Sequence, residues 1–375
     1  MTEKQYGGQT GRENNTEKTA EYKKNSSTKA VKNVKKNSAL TSKNQRGILT
    51  ESNSEQENSA NKVGSPLDKN NNEQANLGVG GKTSPTTQKI LLAGKIASQV
   101  KEYAKTIIKK DIPLLEIAEK IEEKIKELGG KPAFPTNLSI NHIAAHYTPS
   151  HDDKTLASGL LKVDFGVHID GYIADTAFSL DLENTGENKK LIIASEKALE
   201  NATKIIKENI LTSEVGNTIQ KTIESFGFSP IINLSGHEMK QHELHAGLTI
   251  PNINDKRNII IKKGLYAIEP FATNGEGKVY DGKPSGIYML TNAKNVRSPI
   301  ARELLKFIEK EYKTLPFCSR WLVKKFGTKA LFGLKQLEEN QNLHHFPQLI
   351  ESSHSKVSQA EDTVLIDEKV IVTMR

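Results

Sequence analysis

Cysteine and tryptophan occur once each in 375 residues, and aromatic residues make up only 6%. One thiol, Cys318, excludes an internal disulfide framework and fits a reducing compartment such as the cytoplasm. Nine times in ten or so such a lone cysteine is a small buried hydrophobe, and that is its expected place. No apolar run is long enough to cross a bilayer, and no charged-then-apolar start resembles a secretory signal. No membrane partner is therefore expected. A zinc-protease helix motif is also missing, because Gln241 stands where the second histidine after His237-Glu238 belongs. Gly275-Glu276-Gly277-Lys278 lacks the spacing and the following helix of a phosphate loop.

Charge and polar residues are abundant, and unevenly placed. The net charge is +8, and residues 1–86 hold 14 Lys/Arg against 9 Asp/Glu, which leaves five of those eight charges there. This stretch is rich in Asn, Lys, Ser, Glu and Gln and has no apolar periodicity, so it is expected to be a disordered tail. The plainer reading of its lysines is a solvated tail of biased Asn/Lys composition; the sharper one is an electrostatic arm for ribosomal RNA, although Tyr6 and Tyr22 stand too isolated for base stacking.

From residue 87 to 375 the chain reads as one folded domain of α/β (α+β) character. Helical spacing marks residues 88–110, 113–128, 187–209, 213–225, 299–312, 318–326 and 329–340. Strands are expected at 228–234, 258–261 and 265–271, and a terminal hairpin at 363–366 and 370–373. No short-period repeat is evident.

The densest chemical signal is a hairpin. Leu160–Ile169 and Tyr172–Phe178 flank Asp170-Gly171, the strongest short-range turn signal between apolar runs. A two-residue turn pairs 169 with 172, 166 with 175 and 164 with 177. Asp164 and Asp175 then share a face as diagonal neighbours, about 7–8 Å apart. Two like charges that close call for a cation between them. Three further segments supply partners. Gly236-His237 opens a histidine-rich stretch with His242 and His245, Glu269 sits inside an apolar strand before Pro270, and Glu361 opens the terminal strand. Asp164, Asp175, His237, Glu269 and Glu361 make an oxygen-rich donor set without thiolate. Such a set suits two divalent ions of the Mn, Fe, Co or Zn type.

With these residues on the page, the chain resembles the type II methionine aminopeptidases of archaea and eukaryotes. The resemblance rests on Ala133-Phe134-Pro135-Thr136-Asn137, Ala144-Ala145-His146-Tyr147-Thr148-Pro149, Lys162-Val163-Asp164-Phe165-Gly166, Asp175-Thr176-Ala177-Phe178, Gly236-His237, Leu244-His245-Ala246-Gly247, Ala267-Ile268-Glu269-Pro270-Phe271 and Glu361. It implies the pita-bread fold, a pseudo-two-fold mixed β-sheet flanked by helices, with a helical insertion at 284–348. It implies that Asp164 chelates one metal, that Asp175 and Glu361 bridge both, and that His237 and Glu269 complete the second. Glu269 would move the proton, His146 and His245 would contact substrate, and Phe134 and Leu244 would line a methionine pocket. The implied activity is removal of the initiator methionine from nascent chains whose second residue is small, by a protein that is monomeric. Asp362 stands where the family often has histidine, and Asn137 where some members have a smaller residue. A metal-free relative acting as an RNA- or protein-binding module would lack several ligands. A proline-specific aminopeptidase would lack the insertion and the Phe-Pro-Thr segment.

Overall fold

A computed structural model describes residues 83–374. The expected tail, residues 1–86, falls almost wholly outside that range. The first described helix, α1 (Pro85–Ile107), starts three residues earlier than its apolar pattern suggests. Ser84 Oγ accepts the Thr87 N–H at 3.0 Å, and Pro85 fills the first turn, where no N–H is needed. α1 buries Ile90, Ala93, Ile96, Ala97, Val100 and Ala104, one stripe at helical spacing. α2 (Leu114–Glu127) buries Leu114, Ile117, Ala118, Ile121 and Ile125 beside it, in one cluster with Val163 and Phe165.

The aspartate hairpin forms with the expected register: Ile169 opposite Tyr172, Gly166 opposite Asp175, Asp164 opposite Ala177. Asp170 and Gly171 both take positive φ, 50° and 87°, the type I′ geometry that matches strand twist. Asn137–Ile140 pairs along the other edge of Leu160–Ile169 and sets Asn137 opposite Asp164. A second sheet is centred on Gly264–Ile268, which pairs Ser235–Met239 on one side and Asp362–Ile366 on the other. An isolated bridge, Ala177 to Glu361, ties the hairpin to this sheet.

α3 (Gly186–Ile205) and α4 (Thr212–Ser225) pack on the second sheet as α1 and α2 pack on the first. The two halves repeat each other. Asp111 and Asn209, 98 positions apart, both have φ of 67°. Asp111 N–H donates to Ala157 O at 2.8 Å, and Asn209 N–H donates to Ile261 O at 2.8 Å. Pro113 bridges Leu156, and Leu211 bridges Ile260. This is the pseudo-two-fold, and it is written in the sequence at long range: Ala104, Ile107, Ile108 and Lys109 recur as Ala202, Ile205, Ile206 and Lys207. Every named strand ladder is antiparallel, so the mixture in the fold is of helices with strands rather than of strand directions.

Several expected strands are corrected. Of 228–234 only Ser229–Pro230 is strand, because the Asn233 side chain, not a neighbouring strand, takes the Val279 N–H and O. Of 258–261 only the Ile260 bridge remains. The expected strand 265–271 breaks at Glu269-Pro270 into Gly264–Ile268 and Phe271–Thr273, because proline has no N–H for the ladder. Two long strands, Val279–Leu290 and Leu343–Glu351, lay hidden in the sequence. Pro284 and Pro347 face each other there at register shifts, which blurs the period-2 signal.

The remaining helices, α5 (Pro299–Glu311), α6 (Ser319–Phe326) and α7 (Lys329–Glu339), form their own apolar cluster with Tyr288, Phe317 and Leu343. Cys318 is buried, as expected. Arg320 of α6 reaches Glu122 of α2 with two bonds of 2.8 Å. Trp321 Nε1 and the Thr136 N–H also donate to Glu122. Among the described residues no helix is long and apolar enough to cross a membrane.

Candidate metal centre

Asp164, Asp175, His237, Glu269 and Glu361 line one cavity of about 340 Å³. Each arrives on a different element, and each is aimed by its local geometry. Asp164 and Asp175 leave the two strands of the hairpin on one face. His237 lies mid-strand, beside Ala267 in the ladder. Glu269 follows the last residue of its strand, where Pro270 halts pairing. Glu361 is fixed by mutual backbone bonds with Ala177.

The side chains close on one another. His237 Nε2 lies 3.6 Å from Asp175 Oδ2 and 3.5 Å from Glu269 Oε1. Asp175, His237 and Glu361 each offer a ligand atom within 4.8 Å of the others, and all three are buried. Gln359 Nε2 leans toward Asp164 Oδ2 at 3.4 Å and Glu361 Oε2 at 3.5 Å. Gln359 was not singled out in the sequence. The available signal was its place two residues before Glu361, which puts both on one face of the chain.

Electrostatics leave this cluster incomplete. Burial, and then the charge of Asp164, push the Asp175 carboxyl well above its ordinary value. Burial and then Asp175 do the same to Glu269 and Glu361. The Asp164 carboxyl is pushed up by burial to about 7. Burial pushes His237 down to about 3, so it stands as a neutral imidazole. Asp164 Oδ1 and Asp175 Oδ1 are sealed from solvent without a hydrogen-bond partner. Four repelling carboxylates, two orphaned oxygens and a neutral imidazole nitrogen are the donor set that hard to borderline divalent cations take. The residues therefore fit such ions.

The cavity wall is apolar on one side, with Phe134, Pro135, Leu244, Ile287, Pro316, Phe346 and Leu349. Gly166 leaves the room that one wall residue needs, since a Cβ there would lie 2.5 Å from the Phe134 ring. Asn137 also faces the cavity. Its Nδ2 donates to Pro135 O at 3.1 Å, and its buried Oδ1 has no partner. His146 and His245 reach the same cavity. His146 Nδ1 donates to Pro347 O at 3.1 Å, so Nε2 keeps its lone pair. Burial pushes the His146 pKa down to about 4. The His245 ring lies edge-on to His237, centroids 4.5 Å apart. Ile287, Pro316, Phe346 and Leu349 were not foreseen, because they come from the hidden strands and their neighbours.

His242 goes elsewhere. It sits over the hairpin turn, where its N–H donates to Gly171 O at 2.8 Å and its Nε2 accepts from Lys313 Nζ at 2.9 Å.

Residues 88–368 match metallopeptidase family M24. A methionine aminopeptidase of Methanocaldococcus jannaschii is 46% identical over 284 residues, covering 75% of this chain and 95% of that one. Two solved structures share the fold. A thermophilic Arx1 has a TM-score of 0.68 at 15% identity, over 78% of this chain and 91% of that one. A Thermotoga maritima methionine aminopeptidase has a TM-score of 0.56 at 22% identity, over 78% and 98%. The chain belongs to metallopeptidase family M24, with the pita-bread fold.

Proposed function

We propose that this protein is a type II methionine aminopeptidase, which removes the initiator methionine from nascent chains when the second residue is small. The observation that carries this reading is the convergence of four carboxylates and one imidazole beside an apolar cavity of about 340 Å³. The relative from M. jannaschii, 46% identical, supports the choice of methionine. Helices α5–α7, within the expected insertion 284–348, support the type II assignment.

Asp164, Asp175, His237, Glu269 and Glu361 would hold two divalent cations, drawn from Co, Mn, Fe and Zn. Bound there, such ions polarise a scissile carbonyl and make a water acidic enough to attack near neutral pH. The side chains do the rest. Glu269, beside His237 Nε2, takes the proton of the attacking water and returns it to the leaving amine. His245 donates toward the oxyanion. His146, held by Pro347 O, positions the peptide through its free Nε2. Phe134 and Leu244 enclose the methionine side chain and exclude water from the reacting bond. A cavity that admits one side chain and a free terminus makes the reaction exopeptidic.

The basic tail, residues 1–86, is the natural arm for meeting ribosomes in the cytoplasm. Hydrolysis of Met-Ala-Ser against Ala-Pro-Ala by metal-loaded protein tests the substrate class. Strong preference for Met-Ala-Ser is expected, and preference for Ala-Pro-Ala would overturn the assignment.

A further inference from the structure

Beside the acidic cluster, α1 sends in a cation that does not line the cavity. Lys101 Nζ lies 3.6 Å from Asp362 Oδ1 and donates to Thr176 Oγ1 at 3.1 Å and to Ala177 O at 3.5 Å. Both members of the pair are mostly buried, with side-chain exposures of 19% and 10%. Each partner adjoins a segment that matters. Thr176 follows Asp175, and Asp362 follows Glu361.

The two segments are stitched together. Thr176 Oγ1 donates to Glu361 O at 3.0 Å. Glu361 N–H donates to Ala177 O at 3.0 Å. Asp175 N–H donates to Thr363 Oγ1 at 2.7 Å, and that hydroxyl donates back to Asp175 O at 2.9 Å. Yet the backbone pairing here is one isolated bridge rather than a ladder. Across it sit two buried carboxylates that repel each other. A short seam under that load needs reinforcement. Lys101 supplies it from a helix anchored by Ile96, Ala97, Val100 and Ala104.

We propose that the Lys101–Asp362 pair is a positioning clasp: it holds the segments 175–177 and 361–363 so that Asp175 and Glu361 both reach the bound cations. This rests on the metallopeptidase function proposed above. Lys101 touches neither substrate nor the reacting atoms; it acts through Thr176 and Asp362.

The sign of its effect separates positioning from charge. Removing a lysine near a cation site relieves repulsion, and charge alone would tighten metal binding. Loss of a group that orients ligands weakens binding, typically about 10–100-fold. The test is calorimetric titration of the metal-stripped full chain with Mn²⁺, with circular dichroism to check the fold. Lys101→Met is expected to weaken Mn²⁺ binding at least about tenfold, and Lys101→Arg to restore it to within about threefold. Asp362→Asn, close to isosteric, is expected to weaken binding too, by charge as well as by position, and Lys101→Gln carries the test should Lys101→Met not fold. The Lys101→Met/Asp362→Asn double variant is expected to be no weaker than the worse single, since one clasp is lost only once. Mn²⁺ binding by Lys101→Met that equals or exceeds wild type would overturn the clasp. A wild-type chain that takes up none of Mn²⁺, Co²⁺, Fe²⁺ or Zn²⁺ would instead overturn the metal-dependent function beneath it.

Discussion

Burial pushes the Asp164 carboxyl up to about 7, against 3.8 for an ordinary aspartate. Asp175, Glu269 and Glu361 are pushed the same way by burial and by one another. The sign of the consequence follows from proton counts. Between pH 4 and 7 these four carboxyls bind more protons in the folded metal-stripped protein than in the unfolded chain, so their contribution to stability falls as pH rises, while the lowered His146 and His237 act in the opposite sense. Cations held by the ionised carboxylates reverse the preference. The rise in the thermal unfolding midpoint when stripped protein is loaded with Mn²⁺ should therefore grow from pH 4.5 to 7. A rise on loading that stays flat or shrinks across that range would contradict the raised carboxyls. His237→Ala removes a neutral nitrogen ligand; it should cost one bound ion and about 10²-fold or more in kcat, read by metal analysis and steady-state kinetics. The unpartnered Oδ1 of Asn137 lies against the same cavity. An unmade buried bond costs about 1–3 kcal/mol, which a donor on the bound peptide would recover. Asn137→Ala is accordingly expected to raise KM for Met-Ala-Ser several-fold while metal content stays at the wild-type value.

Elements differ in how openly the sequence announces them. The aspartate hairpin is legible to the residue, because period-2 alternation and Asp-Gly turn chemistry agree. Glu269 is legible as an anomaly, a carboxylate in an apolar strand before a proline that halts pairing. Val279–Leu290 and Leu343–Glu351 are not legible, since Pro284 and Pro347 sit where a central strand should forbid them and the register slips around both. The apolar wall made by Ile287 and Phe346 was lost with those strands. Asn233 likewise replaces strand pairing with side-chain bonds to Val279, which no local pattern reveals. Two elements carry predictions. Gly166→Ala would drive a Cβ into the Phe134 ring and is expected to raise KM for methionyl peptides with metal content unchanged. Glu122 of α2 takes bonds from Arg320, Trp321 and the Thr136 N–H in a buried setting. Glu122→Ala strands a buried guanidinium and is expected to cost about 3–5 kcal/mol, measured by urea unfolding.

The whole molecule is a doubled design with a cation site at its seam. Asp111 and Asn209 mark the same left-handed position in each half, and the strands that follow carry Asp164 within Leu160–Ile169 and Glu269 just beyond Gly264–Ile268. A search for short periods overlooks this repeat, because its spacing is 98 residues and only a few helix-end and turn positions persist. The acidic ligands stood out because buried carboxylates contradict the chemistry of strands around them. Their grouping into one site rests on complementary donor chemistry, and the family resemblance assigns each its role, since residues as distant as Asp164 and Glu361 are joined by tertiary packing alone. At this scale the basic tail separates from catalysis. Removing residues 1–82, which spares the Ser84 cap, should leave Met-Ala-Ser hydrolysis unchanged and weaken ribosome co-sedimentation, most at low salt. The most direct measurement is hydrolysis of Met-Ala-Ser by metal-stripped protein as Mn²⁺ is added back in counted equivalents. Turnover should be absent without metal and should saturate as the second equivalent binds; full turnover by stripped protein, or none at any level of Mn²⁺, Co²⁺, Fe²⁺ or Zn²⁺, would contradict a dinuclear methionine aminopeptidase.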